Sequence, residues 1–215
     1  MTDHTDHTDR TGSSGGAPGR DPLAFDRYDR WGLVFLLGAV ALGAVLAWVV
    51  QPVADWVTGA PLTPGVVSTV TVPPLDAAGI GYGPASYAVD VVDPSAGHRL
   101  LDLVPGVLGS VLVVLACWCI VLLLRTVAAG DPFDPVNVVR LRVVAAVLVL
   151  GVPVVDVLQS LVNAVLLGGL DLGALELPFR LDIPWVPMLA GLVVAMLAEA
   201  FKAGSRLRDD VDGLV

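Results

Sequence analysis

The run LVPGVLGSVLVVLACWCIVLLL at residues 103–124 decides the fold, because its 22 residues contain no charged side chain. At about 1.5 Å per helical residue it covers the roughly 30 Å hydrocarbon layer of a bilayer. Working outward, WGLVFLLGAVALGAVLAWVV at 31–50 is equally free of charge. Residues 143–167 are apolar except for Asp156, Gln159, Ser160 and Asn163. A fourth run, 183–201, reaches spanning length when Leu181, Ile183 and Phe201 are counted at the ends of the apolar stretch 185–200. A soluble fold would have to bury all four runs, yet the 215 residues are 55% hydrophobic and 15% charged, against about 25% charged in ordinary globular chains. Too little polar surface remains to cover them. The sequence predicts an all-α membrane protein, an up-down bundle of four transmembrane helices with spans at 31–50, 103–124, 143–167 and 183–201.

Charge sets the expected orientation, since Lys and Arg near span ends are retained in the cytoplasm. Arg10, Arg20, Arg27 and Arg30 precede the first span; Arg125, Arg140 and Arg142 lie between the second and third; Lys202, Arg206 and Arg208 follow the fourth. The other side has Arg99 and Arg180 among a surplus of acids. The expected product is a multi-pass protein of a bacterial cell membrane with both termini cytoplasmic and the lipid bilayer as its first partner. Ala39-Val40-Ala41 has the spacing of a signal cleavage site but lies inside an apolar run of full spanning length, so span one is read as a retained anchor. The net charge of -9 gives direct nucleic-acid binding no support.

Residues 1–24, with the repeat Thr-Asp-His-Thr-Asp-His, have nothing apolar to offset chain entropy and are expected to form a disordered cytoplasmic tail. Residues 25–215 form the membrane domain. Its outer loop, 51–102, holds two β-prone runs at 66–72 and 87–92, which predict a small extracytoplasmic β-hairpin between helices one and two. Gly79-Ile80-Gly81-Tyr82-Gly83 between them lacks the strand-before, helix-after context of a phosphate loop and reads as a turn.

The residue inventory argues against catalysis. Cys117 and Cys119 lie two apart, pointing about 200° from each other on a helix, and so close on neither a metal nor one another. The histidines are His4, His7 and His98, and no HExxH, GxSxG or Walker A pattern occurs. No enzyme activity and no cofactor are expected.

Two groups of polar residues stand out. Asp156, Gln159 and Asn163, at offsets of three and seven, fall within about 60° of one another on a helix. An ionisable group facing lipid costs about 2.5 to 3.5 kcal/mol on insertion scales, so this stripe should face the bundle interior or a wet vestibule. Pro153, one turn earlier, should kink the helix. Asp156 sits roughly 20 Å from the inner boundary, a depth that favours interhelical glue over a ligand or proton site.

On the cytoplasmic side, Asp134 and Pro135 form a helix start, and Asn137, Arg140 and Leu141 share a face of its first turns. The ordinary reading is a basic membrane-anchoring turn; the sharper one makes Phe133 and Asn137 a docking surface. Glu199, at the inner end of span four, is expected to pair with Arg140 or Arg142. Gly38, Gly43, Gly106, Gly109 and Gly191 would allow close helix approach.

The order Gly130-x-Pro132-Phe133-x-x-x-Asn137-x-x-Arg140-Leu141-Arg142, then Phe201-x-x-Gly204-x-x-Leu207-Arg208-Asp209-Asp210 after two spans, resembles an uncharacterised bacterial four-span membrane family, domain of unknown function 2975. Lys202 and Ala203 lie within the closing motif, and the usual acidic-then-LT ending is replaced here by Asp212-Gly213-Leu214-Val215. No activity is established in that family. Its members often accompany a small helix-turn-helix regulator, which implies a cytoplasmic transcriptional regulator as partner and Phe133, Asn137, Arg140, Arg142, Phe201 and Gly204 as docking candidates. The leading expectation is a non-enzymatic integral membrane protein acting through its cytoplasmic face, a partner or sensor for such a regulator. The alternative is a small transporter or transporter subunit using the stripe of Asp156, Gln159 and Asn163.

Overall fold

A computed structural model describes residues 27–68, 77, 79, 85–88, 90, 91, 93–168 and 183–212. The expected disordered tail, most of the Gly79–Gly83 turn and the connection between spans three and four lie outside these residues.

Four helices are long and apolar enough to cross a membrane: Arg30–Thr58, Ala96–Ala128, Pro135–Leu167 and Trp185–Arg206. The protein is a multi-pass, all-helical membrane protein. These helices, spans one to four below, are longer than the apolar runs within them. Spans two and three have 33 residues each, about 50 Å of helix, so both project beyond the hydrocarbon layer. Span one continues past residue 50 as the helix Gln51–Thr58, closed by Gly59 at φ 74°. A left-handed residue after the last turn turns the chain away from the helix axis and is the position glycine fills without steric cost.

Spans one and three share a device that hydropathy alone does not reveal. Span one runs as an α-helix over Arg27–Val45, widens to a π-turn over Leu46–Val50 and resumes at Gln51. Span three does the same, with Pro135–Ala146, a π-turn over Val147–Gly151, and Val152–Leu167. In each case the first residue after the turn donates to a carbonyl five residues back, Gln51 to Leu46 and Val152 to Val147. Pro52 or Pro153 comes next. A proline has no N–H for the carbonyl four residues before it, and the wider turn absorbs the mismatch locally. The expected interruption at Pro153 is thus a π-turn built into a continuous span.

Consecutive spans pack side by side: one on two, two on three, three on four. The one-to-two contact centres on the first π-turn, where a Cβ on Gly106 would lie 2.4 Å from the Trp48 carbonyl oxygen and one on Gly109 would lie 3.3 Å from the Trp48 ring. The three-to-four contact runs along Pro135–Ala146 and reaches the second π-turn, where Gly191 lies against Leu148 and Val149. Three of the five expected glycines therefore mediate close approach. Gly38 and Gly43 do not, because a Cβ on either would meet nothing within 4 Å. Ser110 adds a polar link, its hydroxyl within reach of the Gly106 carbonyl at 2.8 Å and of the Ala44 carbonyl on span one at 3.4 Å.

At the end carrying the 51–102 loop, Arg99 is buried at 7% exposure. Its guanidinium donates to the Ala60 carbonyl at 2.8 Å and the Asp55 carbonyl at 3.4 Å, just where span one ends. A cation there adds a charged donor to carbonyls at the negative end of the helix dipole, the Asp55 oxygen also accepting from the Ala60 N–H at 2.9 Å. One of the two basic residues on the acidic side is therefore consumed internally.

The loop itself is more modest than expected. The described pairing is an antiparallel ladder of four residues a side, β1 (Gly65–Ser68) with β2 (Ala85–Ala88), plus a single bridge between Leu62 and Val91. Two strands of this length are marginal by themselves, and most of the connecting segment lies outside the described residues. A β-hairpin as a folded outer unit is not supported, and the architecture rests on the helices.

Candidate functional site

The end carrying the basic residues is built around the turn between spans two and three. Span two stops where Ala129 and Gly130 fold back onto its last carbonyls, with Gly130 at φ 86°. Asp134 then caps span three, its carboxylate accepting from the Val136 N–H at 2.9 Å while Pro135 occupies the first turn. The exposed amides of the new helix are satisfied by a residue that cannot itself be a good helix former.

Asn137 follows, and it is fully buried. Its Nδ2 donates to the Pro132 carbonyl at 3.1 Å and reaches the Asp131 carbonyl at 3.5 Å. Its Oδ1 accepts from Arg140 Nη1 at 2.8 Å and from the Thr126 hydroxyl at 2.7 Å. The amide orientation is forced, since Arg140 has only donors and the turn offers only carbonyl acceptors. Arg140 Nη1 also reaches the Leu122 carbonyl at 3.1 Å. Asn137 therefore uses its whole hydrogen-bonding capacity to tie the turn, span two and span three together.

The same turn is pressed onto span four, which continues as helix to Asp212. The Phe133 ring lies 5.7 Å from the Phe201 ring at 49°, a tilted geometry favoured by the aromatic quadrupole. Phe133 also covers Gly204, where a Cβ would fall 2.6 Å from Phe133 Cε1. Beside this contact Arg142 and Glu199 form an ion pair at 2.6 Å, with side chains 50% and 59% exposed, and Lys202 approaches the same carboxylate at 3.6 Å. Glu199 pairs with Arg142, not with Arg140, whose guanidinium is turned inward.

The six docking candidates thus converge on one junction, but in different roles. Asn137 and Arg140 are internal ties. Gly204 is the seat for Phe133. Phe133 keeps 40% of its surface exposed and, with Arg142 and the edge of Phe201, forms the part available to a partner. Thr126 was missed by spacing arguments, although a Thr in the last turns of a span, one turn from the connecting loop, is a signal for a polar contact there.

At the opposite end, Asp156, Gln159 and Ser160 of span three face Ile183, Pro184, Trp185 and Pro187 at the start of span four, around a cleft of about 540 Å³. Asn163 lies one turn further and accepts from Gln159 Nε2 at 3.1 Å, while the Ser160 hydroxyl donates to the Asp156 carbonyl at 3.0 Å. Two of the three predicted stripe residues line the cleft and the third orients one of them. The span-four wall, separated in sequence by the undescribed connection, was not predicted. The cleft can hold a small polar or cationic group between a carboxylate, an amide and an indole. Among the described residues no cluster of His, Cys, Asp or Glu is arranged to hold a metal.

No curated protein and no solved structure matches the chain. The profile of one family, described as protein of unknown function DUF2975, matches residues 85–215, the segment from the second β-strand through spans two, three and four that contains both the junction and the cleft. Since that segment is more than half of the sequence, the chain belongs to the DUF2975 family.

Proposed function

We propose that the protein is a non-enzymatic component of a bacterial cell membrane, with both termini cytoplasmic, that holds or signals to a soluble helix-turn-helix regulator. The observation that carries this reading is the junction of spans three and four at the basic end. There a rigid, fully hydrogen-bonded turn presents the half-exposed Phe133 beside the exposed Arg142 and Glu199 pair. Aromatic and arginine side chains on a pre-organised support are the groups that dominate protein–protein recognition. DNA contact is left to the regulator, consistent with the net charge of -9.

The chain purified from its native membrane in mild detergent is expected to carry a small helix-turn-helix protein. Phe133→Ala and Arg142→Glu should each release it while the chain stays folded and membrane-inserted. Retention of the partner in both variants would refute the reading.

The cleft around Asp156 favours a second reading, a small transporter or transporter subunit, because an acid at membrane depth is costly unless it is used or wetted. Solute flux into proteoliposomes that disappears in Asp156→Asn would establish it. Under the leading reading Asp156→Asn leaves partner binding intact.

A further inference from the structure

Not every arginine near a span end has a partner among the described residues. Arg140 is tied to Asn137 and Leu122, and Arg142 and Lys202 share Glu199. Arg30, at the start of span one, and Arg125, in the last turn of span two, form no ion pair or hydrogen bond among the described residues. Both nevertheless line one cleft of about 420 Å³ between the two helices at the basic end, each from its own helix.

The cleft is graded in polarity. The arginines and the exposed Trp31 line it together with two apolar residues, Val34 about one helical turn from Arg30 toward the membrane centre and Leu124 next to Arg125 on the same inward side. Ala128 contributes a small side chain that leaves the rim open. Two cations above an apolar wall match a phosphodiester joined to acyl chains, and an indole at this depth is the usual neighbour of a headgroup. A free anion would use the arginines and gain nothing from Trp31, Val34 and Leu124.

We propose that this cleft binds the phosphate of an anionic phospholipid, with one acyl chain descending along Val34 and Leu124. Arginine suits the task because its planar fork can hold two phosphate oxygens at once. The site joins span one to span two at the end opposite Arg99, so both ends of this helix pair are bridged by guanidinium chemistry, one to backbone carbonyls and one to lipid.

The test uses the full chain in nanodiscs of phosphatidylcholine, titrated with phosphatidylglycerol and read by the count and affinity of retained lipids in native mass spectrometry. Wild type should retain phosphatidylglycerol selectively, and Arg30→Gln and Arg125→Gln should each weaken that retention about fivefold, the effect of one basic residue at a membrane surface. The double variant Arg30→Lys with Arg125→Lys should recover most of the selectivity, which separates charge loss from misfolding. Undiminished selectivity in the double glutamine variant would overturn the proposal. So would displacement of the lipid by millimolar inorganic phosphate, because that result would make the cleft a site for soluble anions.

Discussion

Replacing Asn137 by Leu is expected to destabilise the membrane domain more than any other single change at the junction, although the apolar side chain is nearly the same size and the position is inaccessible to solvent. Asn137 carries four hydrogen bonds at once. Removing it leaves Arg140 Nη1 without its shortest acceptor and takes the side-chain donor away from the Pro132 carbonyl. A buried polar group left unmatched costs roughly 1–3 kcal/mol, and more when it is charged. The loss should therefore be at least about 3 kcal/mol, read as earlier unfolding in a graded SDS titration or as reduced abundance in the membrane. Asn137→Asp should destabilise as well, because the carboxylate still accepts from Arg140 and Thr126 but sets its second oxygen, which has no proton to donate, against the Pro132 carbonyl oxygen. Equal stability of Asn137→Leu and wild type would show that the network is incidental. Partner binding offers a second readout. If Phe133 docks a regulator, loosening its support in Asn137→Leu should weaken docking even in the fraction of chain that remains folded.

That network also marks the boundary between what the residues reveal by themselves and what packing adds. The four spans were legible because a bilayer imposes a length of about 20 apolar residues that no soluble helix needs. The stripe was legible because Asp156, Gln159 and Asn163 repeat with the period of a helix. Its opposite wall, Ile183 to Pro187, was not, since periodicity says nothing about which distant segment a face will meet. At the junction, spacing placed Asn137 and Arg140 on one face but could not tell an exposed docking surface from a buried tie. Hydrogen-bonding capacity is a property of the side chain, whereas its satisfaction depends on the Pro132 and Leu122 carbonyls, which every sequence possesses. The β-prone runs at 66–72 and 87–92 do pair where they are described, Val66 opposite Tyr87, but such pairing does not by itself make a folded unit. Their β-branched composition describes a preference for a pleated, half-buried surface, and among the described residues of the 51–102 loop four positions a side are paired in the ladder.

The π-turns were hidden in the same way, and they lead to the sharpest mutational contrast. Gly106, Gly191 and Gly38 are all helical glycines in apolar spans, so intrinsic propensity alone would make alanine favourable by up to about 1 kcal/mol at each. Their surroundings differ. At Gly106 the new methyl would sit 2.4 Å from the backbone oxygen of Trp48, the carbonyl whose α-helical donor would have been residue 52, a proline. A backbone oxygen cannot rotate away, so spans one and two must separate. Overpacking of this kind costs about 1–3 kcal/mol, and separation also forfeits the Ser110 link to Ala44. At Gly191 the nearest atoms are the Val149 methyl at 2.7 Å and Leu148 Cβ at 2.8 Å. The Val149 methyl can turn aside and Leu148 Cβ cannot, so the penalty should be smaller but real. At Gly38 nothing lies within 4 Å, and alanine should be neutral or slightly stabilising. The expected order of stability is Gly38→Ala at or above wild type, then Gly191→Ala, then Gly106→Ala, measured in one SDS titration series. Gly106→Ala behaving like Gly38→Ala would mean that the one-to-two crossing is loose, and the first π-turn would then be a consequence of Pro52 alone with no part in seating the neighbouring helix.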